Sequence, residues 1–512
     1  MITKARKQND PVVSIIFGAS GDLCKRKLMP SLFHLYKNNS LPEDFKVVGF
    51  GRTEYSDSDF QKHLISAYNY DAYADEAEGS DDKTSLKTKN TFFANIHYFK
   101  GHYDVADDYV RLKTFLQNFP QCQMFYLAIP PQTVHDVCLN LKEHIICKDC
   151  KGIPDCASCS KENKWSRIIL EKPFGHDYQS ASELNKFLTG LFHENQLFRI
   201  DHYLGKETVQ NLMAFRFGNN IFEPLWNHKY IDYVEIEIAE TLTVEQRGSY
   251  FETTGIVKDI IQNHALQVLS LIAMEPPPRF TPKAIRSEKY KLLDSVAIPN
   301  PEEVIRNTLR GQYEGYLKES GVNPHSKTET YAVIKLFIQN FRWARTPFII
   351  KAGKALDEKI TRVNIYFKEV DHKLFQGKNV CGVEPNILTF TIQPKEGIHL
   401  QFFTKNPGNS FDLKKVDMNF TYEEQFTERI FDAYERLILD VFSNDPSLFI
   451  SNEEVEASWN FIDAILNVWK NDSEKIPLFQ YAKGTKGPEE VNNFAIRDGK
   501  TWNNYTCALT TS

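Results

Sequence analysis

From Val12 to about Ile200, short apolar runs alternate with stretches of helical periodicity: Val12 to Phe17, Lys46 to Phe50, Met124 to Ile129, Arg167 to Leu170 and Leu197 to Ile200. Runs this short suit strands buried on both faces of a parallel sheet. Between the last two, Leu184, Phe187, Leu188 and Leu191 recur at i, i+3, i+4 and i+7 after Tyr178, the stripe a helix needs to pack on one face of that sheet. The rhythm predicts a doubly wound α/β domain over residues 10–200.

After Asp201 the period changes. Val234, Ile236 and Ile238 alternate with Tyr233, Glu235 and Glu237, and further runs follow at Tyr331 to Ile338, Arg362 to Phe367, Ile387 to Gln393 and Ile398 to Phe403. Alternation with period two predicts a mostly antiparallel sheet with one covered face. Helices over Gly255 to Ala273 and between Glu424 and Phe442 would cover it, making residues 201–512 a larger α+β domain. The acidic run Asp71 to Asp82 and the Cys-rich segment Cys147 to Cys159 carry neither period and read as insertions.

Composition narrows the class. A chain of 512 residues is too long for one core. With 42% hydrophobic and 25% charged residues it is neither disordered nor fibrous. The formal net charge of −6 offers no basic stripe for nucleic acid, so any anion site is local. Met1 to Asp10 carries Lys4, Arg6 and Lys7 without the apolar core of a signal peptide, and no stretch approaches the roughly 20 apolar residues of a membrane span. The expectation is a cytoplasmic protein with no membrane partner, its nine cysteines reduced.

The first strand runs into Gly18-Ala19-Ser20-Gly21-Asp22-Leu23, and a helical pattern follows through Leu32 and Leu35, interrupted at Pro30. Strand, glycine turn and helix in that order form a Rossmann-type cradle in which backbone N–H groups approach a dinucleotide pyrophosphate. Ser20 stands where the usual motif has its second glycine. The second strand ends at Gly51-Arg52, where an NAD enzyme would place a carboxylate for the ribose 2′-hydroxyl; an arginine there favours the 2′-phosphate of NADP. The alternative for Arg52 is a solvated surface residue with Glu54 blunting its charge.

Four segments carry a resemblance. Arg199-Ile200-Asp201-His202-Tyr203-Leu204-Gly205-Lys206-Glu207 closely resembles the signature of glucose-6-phosphate dehydrogenases. The glycine turn with Lys25-Arg26-Lys27-Leu28, the segment Glu171-Lys172-Pro173-Phe174-Gly175, and Pro347-Phe348 through Gly353-Lys354-Ala355-Leu356 resemble further motifs of that family, so the resemblance spans nearly the whole chain. It implies oxidation of glucose 6-phosphate at C1 with hydride transfer to NADP, the first oxidative step of the pentose phosphate pathway, in a homodimer or homotetramer.

Read physically, His202, Tyr203 and Lys206 form a donor-rich cluster suited to a phosphate. Taken alone, His264 reads as core, because Val257, Ile260, Ile261, Val268 and Leu271 lie on its own helical stripe. The resemblance instead implies that His264 is the general base and that Asp201 orients it. It further implies that Lys172 binds the sugar and aligns the nicotinamide, that Glu240 and Asp259 hold sugar hydroxyls, and that Lys354, Lys359 and Gln393 complete the substrate site. The cofactor site would comprise Gly18, Ser20, Gly21, Asp22, Leu23, Arg52 and Lys172, with a cis Lys172–Pro173 bond as one way to shape that turn.

Two features depart from the family. Many eukaryotic members hold a second, structural NADP; Lys351 and Trp502 would suit it, but Asn364, Thr391 and Gln401 stand where basic residues are usual, so a second cofactor is not expected. Cys147, Cys150, Cys156 and Cys159 form paired CxxC units resembling half-sites of a structural zinc centre, or else a loop of free thiols. Two rival readings share the glycine turn: an NADP-dependent sugar dehydrogenase like the glucose–fructose oxidoreductases, which needs no Lys206, and a non-catalytic dinucleotide-binding module, which needs neither Asp201 nor His264.

Overall fold

In the computed structural model, the described residues are 10–68, 70, 82–146, 164–370, 384–409, 411–427, 429–472, 474–497 and 500–501. The four cysteines of the CxxC pairs, most of the acidic insertion and Trp502 lie outside them.

Six parallel strands form the first sheet: β1 (Val12–Phe17), β2 (Phe45–Gly51), β3 (Ile96–Lys100), β4 (Cys122–Leu127), β5 (Ser166–Leu170) and β6 (Leu197–Arg199), in the order β3-β2-β1-β4-β5-β6. Every residue of β1 is buried, as a strand covered on both faces requires. The order reverses between β1 and β4, which opens a crevice at their carboxyl ends, the place where ligands of such sheets collect. β3 escapes the apolar pattern because, as an edge strand, it carries His97 and Lys100.

Helix α1 (Met29–Lys37) follows a π-helical turn at Cys24–Leu28, and Pro30 does not interrupt it. The wider turn changes the hydrogen-bond register just before the proline, so its missing N–H falls in the first turn of α1. Helix α2 (Tyr178–Leu191) begins with an Asp177 capping box, as its periodicity requires.

The second sheet has nine strands: β7 (Ile231–Ala239), β8 (Thr308–Tyr313), β9 (Tyr331–Phe337), β10 (Pro347–Gly353), β11 (Ile360–Phe367), β12 (Ile387–Gln393), β13 (Gly397–Lys405), β14 (Leu413–Thr421) and β15 (Leu478–Tyr481). It is mostly antiparallel, with parallel pairs at β7–β10 and β8–β15. Helix α3 (Glu207–Gly218) packs on its inner side.

The covering helix expected over Gly255 to Ala273 is three pieces. Helix α4 (Gly248–Ile256) breaks at Gly255, whose φ is 62°; a π-helical segment Val257–Ala265 follows, and α5 (Leu266–Ala273) completes it. The helix expected between Glu424 and Phe442 shortens to α6 (Ala433–Phe442), because Asp432 caps it by accepting from the Tyr434 N–H at 3.0 Å. Helix α7 (Asn452–Asn471) packs back on α2, and Arg167 at the start of β5 donates to the carbonyls of Val441 and Phe442 at 2.6 and 2.8 Å. The last helices thus brace the first sheet.

Glycine at 255 is required twice over: its backbone is left-handed, and a Cβ there would sit 2.3 Å from Glu329 Oε1. Because the next turns carry Asp259 and His264, Gly255→Ala is expected to lower the thermal unfolding temperature and kcat together. The strained backbone alone costs about 1–3 kcal/mol. An unchanged melting profile with full activity would refute this account of the kink.

Candidate active site

The glycine turn leaves β1 at its carboxyl end. Gly18 has φ 77°, and a Cβ there would lie 2.1 Å from the Ala128 carbonyl oxygen, so the turn must be glycine. Its N–H donates to Phe50 at 3.0 Å and the Gly21 N–H donates to Gly18 at 2.9 Å. Gly21 and Asp22 are exposed, and Ser20 and Leu23 half-buried, beside the crevice. Arg52, just past β2, is exposed with its guanidinium 5.9 Å from the Tyr103 ring. Glu54 does not blunt it: its carboxylate pairs with Lys100 at 2.7 Å.

The remaining site residues also sit at strand ends. The residues after β5 supply Lys172, joined to Pro173 by a cis bond. The turn after β6 supplies Asp201, His202 and Tyr203, and Lys206 precedes α3. Glu240 follows β7, Lys354 follows β10, Lys359 precedes β11 and Gln393 ends β12, while the π-helical segment presents Asp259 and His264. Lys172, His202, Tyr203, Lys206, Glu240, Asp259, His264, Lys354, Lys359 and Gln393 line a cavity of about 670 Å³, with Asp201 buried behind His264.

At its floor, Asp201 Oδ1 lies 2.5 Å from His264 Nδ1 and accepts from the Tyr203 N–H at 2.9 Å; Asp201 and His264 are 2% and 1% exposed. Asp201, an acceptor only, accepts a hydrogen bond from the Nδ1–H and so leaves the Nε2 lone pair toward the cavity. There Lys172 Nζ lies 3.1 Å from Nε2 and donates to the Asp259 carbonyl at 2.8 Å. Lys354 bridges Glu240 at 2.5 Å and Asp259 at 3.4 Å. The Tyr203 ring stacks on His264 at 4.2 Å.

Burial would raise the Asp201 carboxyl, but the adjacent His264 ring holds it below the ordinary carboxylate range. Burial lowers His264, with Lys172 adding to the effect and Asp201 opposing it, so the ring is neutral at neutral pH. Burial also drives His202 down to about 3, which makes it a neutral donor. Asp259, which burial would raise, is held low by Lys172 and Lys354.

The cavity also holds a group of mixed charge, in which Glu207, Glu396 and Asp432 stand among the lysines and Lys27 pairs with Asp432 at 3.5 Å. Lys206 donates to Gln393 Oε1 at 2.7 Å and, among the described residues, has no carboxylate at ion-pair distance. Lys359 and Lys27 line the cavity beside it. Lys27 belongs to the Lys25-to-Leu28 motif but was given no role from sequence. Arg247, Tyr250, Phe431 and Tyr434 also line the cavity, and no sequence signal pointed to them. Behind it, burial pushes the Glu171 carboxyl up to about 7, where it accepts from the Tyr126 hydroxyl at 2.5 Å.

On the far face of the second sheet, Lys351 is engaged by Glu237 at 2.5 Å and Glu235 at 3.6 Å, and Arg362 by Glu237 at 2.6 Å. The cations near Asn364 and Gln401 are therefore already paired within the sheet.

Comparison with known proteins agrees with this geometry. The family model described as the NAD binding domain of glucose-6-phosphate dehydrogenase matches residues 15–211, and that of its C-terminal domain matches 213–503. The glucose-6-phosphate 1-dehydrogenase of Chlamydia muridarum is 37% identical, covering 97% of each chain, and that of Aggregatibacter actinomycetemcomitans is 38% identical, covering 95% of this chain and 96% of its own. A solved glucose-6-phosphate dehydrogenase in complex with its substrate glucose-6-phosphate superposes with a TM-score of 0.85 at 35% identity, over 96% of this chain and 98% of that one. The enzyme from Mycobacterium avium superposes with a TM-score of 0.79 at 27% identity, over 98% of this chain and 100% of its own. With a parallel dinucleotide-binding sheet followed by a larger, mostly antiparallel one, and both halves matched, the chain belongs to the glucose-6-phosphate dehydrogenase family.

Proposed function

We propose that the protein oxidises D-glucose 6-phosphate at C1 to 6-phospho-D-glucono-1,5-lactone with NADP as acceptor, the first oxidative step of the pentose phosphate pathway. The observation that carries this reading is a buried Asp201–His264 pair whose histidine faces a cavity also lined by Lys206, Lys359 and Lys27. The pair suits removal of the C1 hydroxyl proton, and the lysines suit a phosphate at the far end of a hexose.

Residues 10–200 serve the coenzyme, and residues 201–512 serve the substrate and assembly. The glycine turn suits a dinucleotide, because only glycine at 18 lets the chain turn past the Ala128 carbonyl and the following Gly21 and Asp22 are exposed. Gly18, Ser20, Gly21, Asp22 and Leu23 would hold the pyrophosphate, Arg52 the 2′-phosphate, and Lys172 the nicotinamide side. When bound there, a nicotinamide dinucleotide supplies the hydride acceptor.

Within the site, His202, Tyr203 and Lys206, with Lys359, hold the phosphate, while Glu240, Asp259, Lys354 and Gln393 hold the rest of the sugar. His264 Nε2 accepts the O1 proton as hydride leaves C1, and the C1–O1 bond becomes the lactone carbonyl. Asp201 keeps the ring in the required tautomer and stabilises the imidazolium. Lys172 beside Nε2 keeps that ring unprotonated before substrate arrives.

Arg52 carries the coenzyme preference. Arg52→Ala is expected to raise the Michaelis constant for NADP about tenfold by removing a charge-assisted contact, while leaving that for NAD little changed. Parallel titrations with the two coenzymes test it, and equal effects would return Arg52 to a surface role.

A homodimer or homotetramer is supported by an apolar groove of about 450 Å³ between α3 and the outer strands, where Phe215, Leu388, Ile398 and Leu400 surround a Met418 that is 60% exposed. No helix among the described residues is long and apolar enough to cross a membrane. We assign the protein to the cytoplasm.

The deciding assay is nicotinamide reduction by purified protein, with NADP or NAD and with glucose 6-phosphate or glucose. Rapid NADPH formation only with the phosphate ester supports the reading. Turnover of glucose alone would favour a sugar dehydrogenase without a phosphate site, and no reduction by a folded, NADP-binding protein would favour a non-catalytic module.

A further inference from the structure

We infer that Thr361 is a positioning residue for substrate phosphate recognition, its hydroxyl fixing both the amide and the aromatic ring that flank Lys206. The inference rests on the reading of Lys206 as the phosphate-binding cation.

Thr361 is the second residue of β11, fully buried and outside the lining of the substrate cavity. It meets β12 at a register shift between Thr361 and Arg362, where Thr361 pairs with Gln393 and Arg362 with Thr391. An irregularity of this kind re-aims side chains at the end of a ladder. Here Thr361 Oγ1 meets two cavity residues at once: Gln393 Nε2 donates to it at 3.0 Å, and the Tyr203 hydroxyl lies 3.4 Å away.

Both partners touch Lys206. Gln393 accepts from Lys206 Nζ through Oε1 at 2.7 Å, and the same ammonium stands 5.3 Å from the centre of the Tyr203 ring. A glutamine amide can present either end to a neighbour, and only its carbonyl end can accept from an ammonium. By accepting from Nε2, Thr361 selects the amide orientation that points Oε1 at Lys206. One of the three ammonium donors is then spent on Gln393, and the others remain for a dianion. Threonine suits the task because a hydroxyl can accept from the amide and still share a hydrogen bond with the tyrosine.

Without the hydroxyl, Nε2 is left as an unpaired donor in a half-buried setting, which is costly, and the amide turns toward another acceptor. Oε1 then leaves Lys206, and the ammonium loses its fixed position.

The test uses Thr361→Val, nearly isosteric but without the hydroxyl, beside Thr361→Ser, which retains it. Thr361→Val should raise the Michaelis constant for glucose 6-phosphate about fivefold to a hundredfold, the range for leaving a buried donor unpaired, with kcat changed much less. Whatever activity the enzyme shows on unphosphorylated glucose should not change, nor should the affinity for NADP, and Thr361→Ser should restore the wild-type constant. In a Gln393→Leu background the valine substitution should add much less than it does alone, because the amide route is already lost and only the Tyr203 contact remains.

Equal losses on both sugars, or a full additional loss in the Gln393→Leu background, would overturn the proposal in favour of a packing role. A Lys206→Ala variant separates this failure from a broader one. If Lys206→Ala is selective for the phosphate ester and Thr361→Val is not, only the role of Thr361 fails. If Lys206→Ala is unselective, the phosphate assignment itself fails.

Discussion

His264→Asn should lower kcat by roughly 10²- to 10⁴-fold, the range for loss of a positioned general base, while NADP binding is retained. Asparagine keeps a polar group against Asp201 but offers no basic nitrogen toward the cavity. The dinucleotide turn at Gly18 to Leu23 lies on another element, so coenzyme affinity reports separately on folding. The pH profile gives an independent reading. Burial holds the His264 pKa below the ordinary histidine value, so the acidic limb of kcat/KM, where Nε2 becomes protonated, should lie below that value. That acidic limb should vanish from the residual activity of His264→Asn. A limb near pH 7 that persists in the variant would belong to Glu171, whose buried carboxyl is raised to about that value. Full activity in His264→Asn would remove this residue from the mechanism.

The two readings of His264 available from sequence were both physically sound. Its neighbours at helical spacing marked a core position, and the ring is indeed buried. Periodicity gives burial but cannot say what stands opposite, and the partner that changes the meaning of the residue, Asp201, lies 63 positions away. Only the resemblance joined the two. Apart from the edge strand β3, the parallel strands were legible because burial on both faces leaves apolar runs, as in β1. β14 was missed although Val416, Met418 and Phe420 alternate with Lys415, Asp417 and Asn419; the alternation is short, and on an edge strand with no fully buried residue it marks no core face. β15 lies at the other edge, and β8 carries Arg310, Gly311 and Gln312 within it. Arg247, Tyr250 and Tyr434 were illegible for a different reason: helix starts and loops bring them to the cavity, and their local patterns match those of any surface segment.

Lys206→Ala should raise the Michaelis constant for glucose 6-phosphate roughly 10- to 150-fold, the cost of losing a charge-assisted hydrogen bond to a dianion, and leave that for glucose nearly unchanged. The selectivity follows from the layout of the cavity. Lys206 makes no hydrogen bond or ion pair with His264, Asp259, Glu240 or Lys354 among the described residues, and its hydrogen-bond partner is Gln393. Burial lowers its pKa, and the nearby Glu396 and Asp432 oppose that shift and so favour the ammonium form. The loss should shrink as ionic strength rises, because salt screens the wild-type attraction more than it affects the variant. Lys359 and Lys27 remain in Lys206→Ala, which is why binding should weaken without being abolished. A comparable loss on both sugars would mean that Lys206 acts by holding Gln393 and Tyr203 in place; a loss confined to the phosphate ester would mean that its charge meets the substrate directly.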